Sequence, residues 1–396
     1  MKFSLIILAL VLSFTHLHAQ ITPGFIPEEA KDLIAICNSY TYLDLEGDDA
    51  EIIPKGYKRI YDSPVYGMDN KFQIYTKGKT GVINFRGSTD KKSSWLENFY
   101  SAMIPVEGEI RISFETFDYK FGKDTSSGVH SGYVLGLAYM HEDLISQVKQ
   151  LNNQGIYNIY ITGHSQGGAL AILTRAYFHY LPITKISRKN NFKVYAFAQP
   201  MVGNKEFIAE YDHLFSNLEM SYAMINPADA VPRMPLSYND STLLRDNLIA
   251  LISKDQEMDK SKFIKDGLIS MFQNKLTGTV NKFGKSVEKQ IQRELGEITL
   301  PEPKKDINYS QVGNLMHLPP PEYPLEMKDS LLLNDAEFMA THKRDEHGIF
   351  EDHSVYKKTS MSMNHKPYNY YASILKVYFP DEYERLNPKV FPLKSE

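Results

Sequence analysis

The sequence predicts an α/β fold in which a mostly parallel central sheet is flanked by helices, and three stretches of chain support this prediction. Residues 156–162 are rich in β-branched and aromatic side chains, as a buried strand requires. Residues 169–178 are almost continuously apolar, which indicates a buried helix. Before the strand, apolar side chains recur at steps of three and four residues and predict an amphipathic helix: Leu137, Met140, Leu144, Val148 and Leu151.

The turn between this strand and the buried helix reads Gly163-His164-Ser165-Gln166-Gly167. A G-x-S-x-G pattern in this context predicts a sharp turn that lifts a serine hydroxyl out of the sheet edge. The two glycines lack the β-carbons that would collide across so tight a turn. Backbone N–H groups at the start of the next helix can receive a developing oxyanion. Ser165 is therefore predicted to be a nucleophile; the alternative is a glycine turn that merely contains a serine.

The composition narrows the function classes. The 396 residues include 44 Lys and Arg against 48 Asp and Glu, so the chain lacks the basic excess of a nucleic-acid binder. Cys37 is the only cysteine, so packing and not disulfides must hold the fold. Neither zinc-binding spacing nor a phosphate-binding glycine loop is present. We therefore expect chemistry that needs no cofactor and no metal.

The first 19 residues have the pattern of a signal peptide. Lys2 precedes an apolar run that is too short to span a bilayer as a structural helix, and Leu17-His18-Ala19 forms a cleavage site with a small last residue. No second apolar run of spanning length follows. We expect cleavage after Ala19, one domain over residues 20–396, and a secreted or periplasmic location.

A catalytic acid is predicted at Asp229. Residues 221–225 read as a strand, and it leads into residues 226–235, a loop bracketed by prolines that would fix the position of one carboxylate. In folds with this serine turn, the acid follows the serine and precedes the histidine in the chain. The alternative is an aspartate that caps a turn.

The general base is predicted at His353, because it follows a loop and precedes a helix-like tail. A base belongs on a loop beyond a strand, and His317 lies inside the strand-like run 312–318. His347 is the second choice. The candidates downstream of the acid are His317, His342, His347, His353 and His365.

The oxyanion donors are predicted at Ser88 and Gln166. The strand at residues 81–85 ends in Arg86-Gly87-Ser88-Thr89, so Ser88 can offer a backbone N–H and a hydroxyl at a strand end. The backbone N–H of Gln166 would be the second donor. The alternative is an ordinary turn. Arg86 is expected to hold the loop by ion pairing.

Several separated blocks together resemble the fungal-type lipase family, class 3: residues 82–88, 129–133, 163–170, 196–204, 226–235 and 309–313. The resemblance implies an α/β-hydrolase fold and hydrolysis of acyl esters. It implies a triad of Ser165, Asp229 and His353, with Ser88 and Gln166 at the oxyanion hole. The sequence departs from the family pattern where Asn98 stands in place of an aspartate, and where Ala198 and Met201 replace a glycine and an arginine.

The resemblance also implies a mobile lid after the oxyanion loop. Here that stretch is residues 95–104, with Trp95, Leu96 and Phe99 as candidate lid and substrate-binding residues. The alternative is a packed helix.

Residues 240–305 form an extra segment between the predicted acid and the histidine. Their apolar side chains recur at steps of three and four residues, and lysines are frequent among them. This pattern predicts a helical insertion that caps the parent domain; the alternative is a helix that lies on a membrane or lipid surface.

Together these features predict an exported serine ester hydrolase that acts on lipid-like acyl esters, with triacylglycerols as the first choice. A phospholipase or a short-chain carboxylesterase is the nearest alternative. The alternative outside the enzyme class is a binding protein that retains the hydrolase fold without its chemistry. The expected partners are the ester substrate and transient lipid surfaces. Nucleic acid is not expected, and no protein partner is inferred.

Overall fold

The computed structural model describes residues 21–42, 54–89, 91–113, 115–235, 289, 291–305, 308–323, 325–346, 348–357 and 361–386. The predicted signal peptide, most of the predicted insertion and His347 lie outside these residues. Within them, no helix combines the length and the apolar character that crossing a membrane requires.

The strands are numbered in chain order. They are β1 (Lys58–Asp62), β2 (Phe72–Lys77), β3 (Thr80–Phe85), β4 (Met103–Pro105), β5 (Glu107–Ile112), β6 (Glu115–Lys120), β7 (Gly128–His130), β8 (Asn158–His164), β9 (Asn191–Phe197), β10 (Gly203–Asn204), β11 (Ser221–Ile225), β12 (Ile298–Thr299), β13 (Tyr309–Ser310) and β14 (Leu315–His317).

The central sheet has the strand order β1-β2-β3-β8-β9-β11-β14 among the described residues. All neighbours from β3 to β14 pair in parallel, and β1 and β2 extend the sheet as an antiparallel edge. Two smaller sheets, β13-β10-β7-β4 and β12-β5-β6, lie beside it. This mostly parallel sheet flanked by helices confirms the predicted α/β-hydrolase fold.

The helices are likewise numbered in chain order. They are α1 (Pro27–Tyr42), α2 (Lys92–Phe99), α3 (Ser131–Asn153), α4 (Gln166–Tyr180), α5 (Lys205–Tyr211), α6 (Ala336–Thr341), α7 (Met361–His365), α8 (Pro367–Tyr378) and α9 (Pro380–Arg385).

The central sheet has an apolar core on each face. Successive side chains of a strand point to opposite faces, so Ile159 and Ile161 of β8 join one core and Tyr160 joins the other. Helices α3 and α4 cover the first face, and α1 and α8 cover the second. The sheet is therefore buried on both sides, which leaves its edges and strand ends for function.

The carboxyl ends of the parallel strands carry the predicted functional residues. The loop with Ser88 follows β3, Ser165 follows β8, and the loop with Asp229 follows β11. Because neighbouring parallel strands all end at the same edge of a sheet, these residues converge there.

Candidate active site

Ser165 occupies a strained turn between β8 and α4. Its backbone has φ 58° and ψ −128°, a conformation that residues with a side chain rarely adopt. A β-carbon at Gly163 would lie 2.3 Å from the backbone of Gly167, and one at Gly167 would lie 2.3 Å from the carbonyl oxygen of Phe85. Both glycines are therefore required by close packing, as the sequence predicts, and the turn fixes where the serine points.

The imidazole that lies at Ser165 belongs to His365, and the prediction that His353 occupies this place is wrong. His365 Nε2 lies 2.9 Å from Ser165 Oγ, and His365 Nδ1 lies 2.8 Å from Asp229 Oδ2. His353 instead begins a short exposed 3₁₀ turn and faces Tyr356 with its ring.

The error has a topological cause. After β14 the chain makes an additional excursion, which includes α6 and the turn at His353, before α7 returns to the sheet edge. The rule that a base follows a strand and a loop is met by several positions along such an excursion. His365, the last residue of α7, was one of the five candidates.

Asp229 is brought to the site as predicted, and its carboxylate is almost completely buried, with 1% of the side chain exposed. Its Oδ1 accepts the backbone N–H of Val231 at 3.0 Å, and its Oδ2 accepts the hydroxyl of Tyr370 at 2.8 Å in addition to facing His365. These bonds compensate for burying the carboxylate and leave one orientation in which it can hold the imidazole.

Sequence reasoning missed Tyr370, which lies on α8 five residues after the base. Its hydroxyl donates to Asp229 and accepts the backbone N–H of Asn226 at 3.0 Å. Burial raises the pKa of Tyr370 well above its usual value, and the nearby charge of Asp229 raises it further, so the hydroxyl remains a donor. The sequence indicates Tyr370 only after His365 has been identified at Ser165, because Tyr370 is a buried tyrosine on the helix that follows His365.

A second imidazole, that of His164, packs against His365. The ring of His164 lies 4.8 Å from that of His365, centroid to centroid, and 5.6 Å from the ring of Tyr370. Burial lowers the pKa of His164 well below its ordinary value, and the charge of His365 lowers it further. His164 is therefore a neutral ring that packs against the base.

The predicted oxyanion residues are also brought together. Ser88 Oγ donates to Gln166 Oε1 at 2.8 Å, so this hydroxyl hydrogen is directed at the glutamine side chain. The backbone N–H of Gln166 is the first of α4, and the first four N–H groups of a helix have no acceptor inside it. Backbone N–H groups are accordingly the donors that this edge offers to an oxyanion.

Asn98 explains one departure from the family pattern. Its amide donates to Ser88 Oγ at 2.9 Å and to Gln166 Oε1 at 3.0 Å, and its carbonyl oxygen accepts the hydroxyl of Tyr133 at 3.0 Å. An ionised aspartate at this position has no hydrogen to donate to Gln166. The asparagine therefore suits a chain whose nucleophile is followed by glutamine.

Of the remaining predictions for this edge, the ion pair of Arg86 agrees with the structure and the lid does not. Arg86 forms the expected ion pair, with its guanidinium 3.1 Å from Asp69 Oδ2. Leu96 and Phe99 do not fit the lid interpretation, because both are 1% exposed and belong to the main apolar core. Trp95 is half-buried against the same core. The packed-helix alternative thus describes α2.

The arrangement can activate a hydroxyl. The imidazole can take the proton of Ser165 while the carboxylate of Asp229 orients the ring and stabilises its positive charge. In the described part of the chain, no cluster of three or more His, Cys, Asp or Glu side chains is arranged to hold a metal ion.

Comparison with known proteins shows that residues 82–239 match the family described as lipase (class 3). Lipase ZK262.3 of Caenorhabditis elegans is 33% identical over 135 residues, which are 34% of this chain and 35% of the relative. Triacylglycerol lipase OBL1 of Arabidopsis thaliana is 29% identical over 191 residues, which cover 41% of this chain and 35% of the relative.

Among solved structures, the triacylglyceride lipase of Rhizomucor miehei aligns with 54% of this chain and 77% of its own, at 21% identity and a TM-score of 0.40. The chain spans about a third of the length of the two curated relatives. The matched region contains Ser88, Ser165 and Asp229 but ends before His365.

Proposed function

We propose that this protein is a serine hydrolase that cleaves carboxylic esters of lipids, and the match of residues 82–239 to the family described as lipase (class 3) supports this proposal. The observation that carries the proposal is the chain of hydrogen bonds from Ser165 through His365 to Asp229. The buried carboxylate and the strained serine are both features that a merely structural turn does not need.

In the proposed reaction, Ser165 Oγ attacks the ester carbonyl carbon while His365 Nε2 takes the hydroxyl proton. The carbonyl oxygen becomes an oxyanion, which the backbone N–H groups of Gln166 and Ser88 stabilise. His365 then gives its proton to the departing alcohol, and an acyl-enzyme remains. Water, deprotonated by the same imidazole, attacks the acyl carbon and releases the carboxylic acid and the free serine.

The acyl donor is proposed to be an acylglycerol. This choice draws on the family of residues 82–239 and on the triacylglycerol lipase among the relatives. A panel of p-nitrophenyl butyrate, p-nitrophenyl palmitate, a trioctanoin emulsion and phosphatidylcholine vesicles separates the possibilities. We expect faster release of acid from trioctanoin than from phosphatidylcholine; the opposite order would replace the acylglycerol by a phospholipid.

The decisive variant for the activity is Ser165→Ala. It removes one oxygen from a half-buried site, so we expect an unchanged melting temperature and a loss of at least about 10⁴-fold in turnover of p-nitrophenyl esters. Only Ser165 is substituted, so that Gln166, which belongs to the same turn, keeps its place. A folded Ser165→Ala protein with wild-type turnover would show that the hydrolysis uses another group.

The protein is further proposed to be exported, on the basis of the signal-peptide pattern in residues 1–19. N-terminal sequencing of the protein recovered from the medium or periplasm of an expressing bacterium should start at Gln20. Protein that stays in the cytoplasm with Met1 intact would contradict export and would leave the ester hydrolysis unaffected.

A further inference from the structure

We propose that the turn at residues 67–70 is a positioning element for the oxyanion side of the site. In this proposal Asp69 holds the loop that carries Ser88, and Asn70 holds the side chain of Gln166. The inference rests on the proposed ester hydrolysis, and it adds two residues from a hairpin that contains no part of the triad.

The turn has an unusual backbone. Met68 and Asp69 have φ values of 61° and 62°, so two successive residues other than glycine lie in the left-handed region. Aspartate tolerates this region, but methionine does not favour it. Met68 is 1% exposed and packed into the main core, and the backbone groups of Tyr66 and Asn70 pair with each other across the turn. Strain of this kind persists only where the surroundings fix it, and it concentrates at functional sites.

Asp69 binds the oxyanion loop on both sides of Ser88. Its Oδ2 accepts the hydroxyl of Thr89 at 2.5 Å and lies 3.1 Å from the guanidinium of Arg86, which also donates to the backbone carbonyl of Asp69. Its Oδ1 accepts the ammonium of Lys91 at 2.7 Å. Loop residues before and after Ser88 are thus bound to one carboxylate.

The carboxylate of Asp69 stays ionised in this position. Burial alone would raise its pKa, but the hydrogen bonds from Lys91 and Thr89 and the charge of Arg86 lower the pKa of Asp69 below its ordinary value. An ionised acceptor makes stronger bonds to these three donors than a neutral one.

Asn70 fixes the other donor segment. Its Oδ1 accepts Gln166 Nε2 at 3.1 Å, and its amide donates to the carbonyl oxygen of Gly67 at 2.9 Å and to Glu97 Oε2 at 2.5 Å. The Oε1 end of Gln166 accepts three donors: Ser88, Ser94 and Asn98. Asn70 holds the opposite end together with Glu97, which also hydrogen-bonds the Gln166 side chain. Because Asn70 Oδ1 accepts from Gln166 Nε2 and its own amide donates to Glu97, Asn70 helps to determine which way the glutamine amide points.

The contacts of Asp69 and Asn70 together bear on the distance between the two backbone donors. The backbone N–H of Ser88 follows β3 and that of Gln166 follows β8, so the two donors lie on separate loops. Their separation must match one oxyanion to within about 0.5 Å. Because Asp69 and Asn70 are consecutive, one rigid turn holds both loops. Neither side chain contacts Ser165 or His365 in the structure, so they act as positioning residues and not as catalytic ones.

The test uses variants that preserve the backbone of the turn in the full-length protein. Asp69→Gly tolerates a positive φ, and Asn70→Ser removes the bond to Gln166 together with the bonds of the amide to Gly67 and Glu97. The matched control is Lys71→Ala, the next residue, whose side chain pairs with Asp62. For each protein we would measure the melting temperature, the end-point labelling of Ser165 by a fluorophosphonate, and kcat and KM for p-nitrophenyl butyrate per labelled site.

We expect kcat per labelled site to fall about 10-fold in Asp69→Gly and Asn70→Ser, with KM within about twofold of the wild type, because an interaction made only in the transition state is weakened. Lys71→Ala should keep both constants. If the folded variants retain wild-type kcat, or if lost activity only tracks lost labelling and a lower melting temperature, the positioning role is overturned. A wild-type protein that neither labels nor hydrolyses any ester would instead defeat the proposed function.

Discussion

The two sides of Ser165 are built in different ways. The oxyanion side comes from residues 67–98 and the turn at Gln166, and its polar side chains bind one another in a continuous network. The base side consists of His365, Asp229 and Tyr370, with His164 packed against it. Here His365 is 200 positions from the serine and 136 from Asp229.

This difference determines how much activity a single substitution should remove on each side. The Oε1 atom of Gln166 has three donors, so the loss of one leaves two. The imidazole of His365, whose side chain is 23% exposed, is oriented by the single carboxylate of Asp229. We therefore expect single substitutions to cost far more activity on the base side than on the oxyanion side.

The largest expected effect is that of His365→Ala. Without a base, Ser165 is a weak nucleophile, so kcat for a p-nitrophenyl ester should fall by about four to six orders of magnitude. His353→Ala is the matched control, because it removes an imidazole from an exposed turn of the same excursion. Steady-state kinetics that showed the reverse pattern would exchange the roles of the two histidines.

Asp229→Asn should have the next largest effect. The amide keeps the shape of the side chain but can donate to Nδ1, which favours the imidazole tautomer that cannot accept the serine proton. A loss in kcat of about 10⁴-fold is expected. Single-turnover kinetics would locate the loss in acylation, and a change confined to KM would exclude this role for the carboxylate.

Tyr370→Phe should weaken the base side less severely. It removes one hydrogen bond to the buried carboxylate of Asp229 while its other bonds remain. Because bonds to charged groups contribute about 1.5–3 kcal/mol, kcat should fall by about 10-fold or more. Tyr368→Phe, two residues earlier on the same helix, is the control. Equal rates for Tyr370→Phe and the wild type would mean that Tyr370 serves packing alone.

Asn98→Ala should produce the smallest loss of activity, about threefold in kcat, because Ser88 and Ser94 still hold Gln166. A loss as large as that of Asp229→Asn would show that the oxyanion side is no more tolerant than the base side, and the comparison between the two would fail.

Glu97 offers a test through stability. Burial raises the pKa of Glu97 well above 4.5, so the folded protein retains a proton that the unfolded chain releases as the pH rises past 4.5. The unfolded state then binds fewer protons, and the free energy of unfolding falls by about 1.4 kcal/mol for each pH unit until the folded group also ionises.

Glu97→Gln removes this dependence while keeping the size of the side chain. Its melting temperature should exceed that of the wild type by a margin that grows as the pH rises above 4.5, and calorimetry at several pH values measures the difference. Parallel curves for the two proteins would mean that Glu97 is ionised in the fold.

The two sides also differ in how far the sequence reveals them. Ser165, Ser88 and Gln166 lie in short motifs whose local geometry is fixed by glycines and strand ends, and the structure places them together as predicted. Asp229 follows from its proline-bracketed loop. His365 does not, since its position depends on the length and path of an excursion that leaves β14 and returns through α7. No local pattern records that path.

The sequence does not reveal the buried polar partners of these residues either. Asn70 and Tyr370 are ordinary residues in the sequence, and their roles arise from contacts across 96 and 141 positions. The interpretation of α2 as a lid failed for a related reason, because an apolar helix face at Leu96 and Phe99 has the same pattern whether it covers a site or enters the core.

The most direct test is the rate at which a fluorophosphonate labels Ser165 in the wild type, His353→Ala and His365→Ala, with the labelled peptide identified by mass spectrometry. We expect rapid labelling at Ser165 in the first two proteins and labelling slower by at least about 10³-fold in the third. Rapid labelling of Ser165 in a folded His365→Ala protein would contradict the claim that this imidazole activates the serine.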